Sequence, residues 1–260
     1  MIGIIGGSGL EDSRIIKDFT EKEIETPYGK PSDKIVLGKI GNAEVAIISR
    51  HGKKHSINPT NVPYKANISA LKQLGCSHIL ASTACGSLRE KIKPGDFVFP
   101  NQFIDFTKKR GYTFFDSEKV MHIPMAEPFC PDLRKLLAKT ARELRLKFHA
   151  AGTVITIEGP RFSTKAESKM FRILGADVIN MSTVPEVILA RELGICYASI
   201  AMATDYDCWR TEEETVTIET VLKAMQKNSA NIKRLFFQAV PKIPSAKKCS
   251  CEKDAEKAKI

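Results

Sequence analysis

The feature that most constrains this chain is a recurrence: short apolar runs, each stopping at a glycine-rich, hydroxylic or basic segment. Met1–Ile5 enters Gly6-Gly7-Ser8-Gly9, Val45–Ser49 ends at Arg50-His51-Gly52, and His78–Ser82 ends at Thr83-Ala84-Cys85-Gly86. Apolar runs of this length bounded by turn residues read as buried strands. Elsewhere the apolar spacing becomes helical. Tyr64–Leu74 follows Pro63 and stops at Gly75, Asp132–Leu146 is amphipathic, Thr164-Lys-Ala-Glu167 and Thr183-Val-Pro-Glu186 fit capping boxes, and a long helix runs from Ile218. Further strands fall at 152–157, 177–180 and 195–202. This alternation predicts an α/β fold with a mixed central sheet flanked by helices on both faces. Ligands in such sheets collect at the carboxyl ends of strands, so the segments that end the runs are the candidate site.

The 260 residues are expected to form one large domain over 1–241, followed by a Lys-rich tail, 242–260, that frays or docks loosely. At 43% hydrophobic and 27% charged residues the composition is that of a globular protein with a sizeable core. The longest apolar stretch, Ile195–Ala203, is far short of a membrane span, and no basic-then-apolar leader opens the chain, which points away from membranes and to the cytoplasm. The net charge of +10 is scattered among 30 acidic residues, so nucleic acid is not the expected partner.

Taken alone, the motifs leave alternatives open. The Gly6–Gly9 loop lacks the third glycine of a dinucleotide fingerprint and the Gly-Lys-Ser/Thr of a P-loop, leaving an anion loop or a plain tight turn. Arg50-His51 supplies a charged fork and an imidazole donor, or merely a surface pair. His51 and His55 have helical metal-ligand spacing, but Gly52 disfavours a helix there and no glutamate follows His51, so no metal is expected. Thr204-Asp205-Tyr206-Asp207 places two carboxylates at a strand exit, either as a solvated turn or as a general acid with a partner. Cys249-Ser-Cys251 permits a redox disulfide, a metal contact or a staple, and Cys130 with Cys196 either a bridge or two buried thiols.

In combination the motifs carry more. Gly6-Gly7-Ser8-Gly9, Arg50-His51-Gly52, Thr83-Ala84, Glu158-Gly-Pro-Arg-Phe-Ser163, Asn180-Met181-Ser182 and Thr204-Asp-Tyr-Asp207 occur in the order found in methylthioadenosine phosphorylases. With His122-Ile-Pro-Met-Ala-Glu-Pro-Phe-Cys130 and Ala203–Trp209, the chain resembles that family over roughly 1–240. The resemblance implies a nucleoside phosphorylase fold, assembly as a homotrimer or homohexamer, inorganic phosphate as co-substrate, and no metal or organic cofactor. It implies phosphate held by Ser8, Arg50, His51, Thr83, the Ala84 amide and Ser182. It places Met181 against the ribose and Phe162 on the purine, with Asp205 at N7 as general acid and Asp207 at the exocyclic amine. Ile218, Val221 and a neighbouring subunit's His122 would line a 5′-methylthio pocket. The implied reaction splits 5′-methylthioadenosine into adenine and 5-methylthioribose 1-phosphate. The C-terminal Cys-x-Cys is also found in related archaeal enzymes of broad purine specificity, which keeps adenosine, inosine and guanosine open as substrates and a disulfide among the expectations.

Overall fold

The computed structural model describes residues 1–6, 16–116, 119–210 and 217–258. Ser8 therefore lies outside the described residues. The chain forms β1 (Ile2–Gly6), β2 (Lys17–Lys22), β3 (Ile35–Ile40), β4 (Ala43–Ser49), α1 (Tyr64–Gln73), β5 (His78–Ser87), β6 (Phe97–Val98) and β7 (Gln102–Phe106). It continues through α2 (Pro131–Glu143), β8 (Phe148–His149), β9 (Thr153–Ile157), α3 (Lys165–Ile173), β10 (Val178–Asn180), α4 (Thr183–Glu192), β11 (Cys196–Asp205), α5 (Ile218–Ala239) and α6 (Cys251–Lys257).

The strands form one mixed sheet in the order β2-β3-β4-β1-β5-β10-β9-β7, with β11 pairing both β5 and β6, and β8 beyond β6. Side-chain alternation on β11 separates the two larger of three hydrophobic clusters among the described residues. On β11, Tyr197, Ala201 and Ala203 join Ile68 and Leu71 of α1 and Val187 and Leu189 of α4. Cys196, Ala198, Ile200 and Met202 face the other way, onto Leu133 and Leu137 of α2 and Leu235 and Phe236 of α5. A strand buried on both faces has no polar side to display, hence the unbroken apolar run.

Three local expectations are revised. β5 does not stop at Ser82 but continues through Thr83 and Ala84 to Ser87, because β11 pairs with it along its length. The Thr164–Glu167 capping box forms, whereas the one read at Thr183 does not. Val184 is extended (ψ 131°), so the regular turns of α4 start one residue later and Glu186 cannot reach back to cap. Nor does the tail fray. Cys251 and Ala255 are buried, Arg191 Nη2 donates to Asp254 Oδ2 at 3.0 Å, and Lys247 Nζ donates to the Gly194 carbonyl at 2.9 Å. These contacts fix the segment onto α4 and the turn behind it.

Candidate active site

The site forms where the sheet changes direction. β1, β4 and β11 run parallel to one another and to β5, whereas β10 is antiparallel to β5, with Val178 opposite Ser87 and Ile179 opposite Gly86. The carboxyl end of β10 therefore comes back onto the middle of β5. There Thr83 Oγ1 and Ser182 Oγ lie 2.8 Å apart, and Asn180 Nδ2 donates to Thr83 Oγ1 at 3.4 Å and to Thr183 Oγ1 at 2.6 Å. Beside them opens a cleft of about 470 Å³. Its lining includes Arg50, His51, Thr83, Ala84, Phe162, Met181, Ser182, Asp205, Asp207, Ile218 and Val221, all of them expected from the sequence. His122 is not among the lining residues: it is exposed and its backbone N–H donates to the Ala258 carbonyl.

Arg50 is the most constrained of these residues. Only 2% exposed, it donates from Nε and Nη2 to the two carboxylate oxygens of Glu186, at 2.5 and 3.0 Å, and from Nη1 to the Ser82 carbonyl at 2.8 Å. Tyr197 Oη donates to the same carboxylate at 2.9 Å. Burial works against the guanidinium charge, but the attraction and hydrogen bonds of Glu186 outweigh it and hold the Arg50 pKa above its ordinary value. The fork has five N–H donors, so further donors remain for an anion in the cleft.

His51 behaves differently from the donor expected. Its Nδ1 lies 2.9 Å from the Ile57 carbonyl oxygen, and a carbonyl only accepts, so Nδ1 carries the proton. Burial and then the neighbouring Arg50 charge pull the imidazole down to about 3. The ring is therefore neutral near pH 7 and its Nε2 is a lone-pair acceptor. The His55 ring stacks on it at 4.2 Å.

On the opposite side, a register shift between Ala203 and Asp205 precedes the last pair of the β11 ladder, Asp205 opposite Gly86. Asp205 Oδ2 accepts from Thr204 Oγ1 at 2.7 Å and Oδ1 from the Asp207 backbone N–H at 2.7 Å. Asp207 has φ 52°, and burial raises its carboxyl pKa. Gly86 makes room for the pair, since a Cβ there would stand 3.0 Å from Asp205 Oδ1 and 3.2 Å from Asp207 Cβ.

The segment bearing Phe162 is tied down from behind. Arg110, 6% exposed, donates to Tyr64 Oη at 3.0 Å, to the Val184 carbonyl at 2.6 Å, and to Glu158 through both its carboxylate and its carbonyl. Burial pushes the Glu158 pKa up, but the backbone N–H groups of Lys108 and Lys109 outweigh it and bring the carboxyl down to about 2. Gly159 follows at φ 70°, and a Cβ there would meet Met181 Sδ at 2.5 Å. Arg110, Glu186 and Tyr64 were not singled out from the sequence as site residues, Glu186 being read as a helix cap. Arg110 sits in a Lys-Lys-Arg run that reads as solvated surface, Arg50 is 136 residues from Glu186, and Arg110 is 46 residues from Tyr64.

All seven cysteines are free thiols, so of the two readings left open for Cys130 and Cys196 the structure has two buried thiols. No helix among the described residues is long and apolar enough to cross a membrane.

Comparison with known proteins agrees with this geometry. Residues 1–241 match the family model described as the phosphorylase superfamily. The chain is 59% identical over 248 residues to S-methyl-5′-thioadenosine phosphorylase of Xenopus tropicalis, covering 93% of this chain and 88% of the relative. It is 53% identical to the enzyme of that name from Pyrococcus horikoshii, covering 96% and 95%. The solved methylthioadenosine phosphorylase from Schistosoma mansoni in complex with adenine superposes with a TM-score of 0.94 at 43% identity, covering 99% and 96%. A mutant of the same organism's adenosine/methylthioadenosine phosphorylase, in complex with methylthioadenosine, gives 0.93 at 41%, covering 99% and 97%. One cleft joins motifs scattered from Arg50 to Val221, and with it the identities over nearly the whole chain place this protein in the S-methyl-5′-thioadenosine phosphorylase family of the phosphorylase superfamily.

Proposed function

We propose that this protein cleaves the N-glycosidic bond of 5′-methylthioadenosine with inorganic phosphate, giving adenine and 5-methylthioribose 1-phosphate. The observation that carries the reading is the pairing, within one cleft, of an anion-binding wall with an aspartate pair. As the C1′–N9 bond breaks, positive charge develops on the ribose and negative charge on the purine. Phosphate held by Arg50, His51, Thr83, Ala84 and Ser182, with Ser8, would offset the first charge and attack C1′. A proton from Asp205 to N7 would offset the second. Asp207 would accept from the 6-amino group.

Phe162 would stack on the base and Met181 lie under the sugar, while Ile218 and Val221 give the 5′ end an apolar lining. Phe162 and Ile218 are 39% and 57% exposed, which supports a neighbouring chain completing the cleft in a homotrimer or homohexamer, with that chain's His122 at the methylthio group. The reaction needs no organic cofactor or metal, and a cytoplasmic setting suits its substrates.

The test is product formation from methylthioadenosine, adenosine, inosine and guanosine, with and without phosphate. Phosphate-dependent adenine release with methylthioadenosine preferred is the expected result. Equal rates on all four would instead support a broad purine nucleoside phosphorylase, and cleavage without phosphate would make the enzyme a hydrolase.

A further inference from the structure

Nine residues before Asp205, at the opposite end of β11, the sulfurs of Cys130, Cys196, Cys249 and Cys251 all lie within 4.8 Å of one another. At about 3.3 Å per residue, roughly 30 Å of strand separates this cluster from the aspartates. Three parts of the chain build it. Cys130 stands at the N-cap of α2, and its N–H donates to the Tyr197 carbonyl at 2.9 Å. Cys196 opens β11, its N–H held by the Ser77 carbonyl at 3.1 Å. The docked tail brings Cys249 and Cys251, fixed on either side by the Lys247 and Asp254 contacts already described.

We infer that these four cysteines form a structural tetrathiolate site for zinc that pins the C-terminal tail to the base of the central sheet. Four sulfurs at the corners of a tetrahedron around zinc, each about 2.3 Å from the ion, are about 3.8 Å apart. The Cys196–Cys249 separation of 3.3 Å and the overall limit of 4.8 Å bracket that value, and both lie far outside the 2.03–2.05 Å of a disulfide. Cys130, Cys196 and Cys251 are each 1% exposed or less, so the ion would be shielded from water. Binding would replace the thiol protons with one Zn²⁺ and leave a net charge of −2, with the protons passing to solvent. Two cations flank the docked tail. The side chains of Arg191 and Lys247 are 3% and 11% exposed and pair with Asp254 and Glu252 at 3.0 and 3.3 Å, and Arg191 Nε is buried without a hydrogen-bond partner among the described residues.

The full-length protein, purified under reductant, should contain about one zinc per chain by mass spectrometry. Cys249→Ser with Cys251→Ser should reduce this at least tenfold. Chelation should lower the Tm of the parent and leave that of the variant unchanged. Should the variant fail to fold, titration of chelator-stripped parent protein with cobalt(II) reads the same site, with thiolate-to-cobalt charge-transfer bands of tetrahedral form expected. Absence of those bands overturns the proposal. So does a count of three reactive thiols, out of seven, in denatured unreduced protein, because two disulfides would then occupy the cluster.

Discussion

Arg50 grips Glu186 with two of its nitrogens, and neither side chain is more than 2% exposed. The arginine lining the cleft is thus oriented by a carboxylate behind it, with Tyr197 as the third member. Glu186→Gln should destabilise the fold by about 3–5 kcal/mol, because it leaves a buried guanidinium uncompensated. It should also raise KM for phosphate more than KM for the nucleoside. Urea unfolding and initial rates with each substrate varied in turn provide the check, and equal effects on both KM values would remove Glu186 as the residue that positions Arg50.

The aspartates divide between rate and selectivity. Asp205→Asn should lower kcat by about 10²–10⁴ through loss of proton donation to the leaving group. Asp207→Asn can donate as well as accept at the 6-position and should shift preference from 6-amino toward 6-oxo purines. Ratios of kcat/KM for methylthioadenosine and inosine separate the two effects. An unchanged ratio in Asp207→Asn removes that residue from base selection.

A neutral His51 with a lone pair on Nε2 accepts a hydrogen bond from its ligand, which favours hydrogenphosphate, with an O–H to donate, over an anion without one. Sulfate, similar in shape and unprotonated near neutrality, should bind roughly 10-fold or more weakly than phosphate. Competition by sulfate against varied phosphate measures the difference, and equal affinity would show that His51 donates in the bound state.

The same histidine shapes acid stability. His51 is lowered to about 3 and His78, buried beside Ser77, to about 4. In the unfolded chain both titrate near 6.5, so as pH falls below that value the unfolded state binds protons that the native state refuses. Their contribution is intact above pH 6.5 and is lost progressively toward pH 4 and below. His78→Gln should therefore lose less stability than the parent between pH 6.5 and 4, as denaturant midpoints measured across that range would register.

Gly159→Ala combines φ 70° with a Cβ 2.5 Å from Met181 Sδ. It should push Met181 into the cleft and raise KM for the nucleoside while leaving KM for phosphate nearly unchanged. Matching increases in both would indicate a general collapse of the site.

The sequence by itself determined β1, β4, β5, β9, β10 and β11 and the helices α1 to α5, though not β2, β3, β6, β7, β8 or α6, because apolar periodicity and capping chemistry are local and those shorter or more polar elements carry little of either. The runs at 1–5, 45–49 and 195–202 became β1, β4 and β11, and Thr164 caps α3 as its spacing implied. It also marked most of the cleft, since the motif residues end these elements. What only the tertiary structure decided depends on contacts between distant positions. Arg50 meets Glu186 across 136 residues, and β10 returns antiparallel onto β5 to bring Ser182 to Thr83. Four cysteines from three segments converge at the far end of β11. Local spacing made Glu186 a helix cap and the tail a loose end. Burial drove both inward, because a buried guanidinium requires an anion and the apolar surface around Cys196 requires a cover.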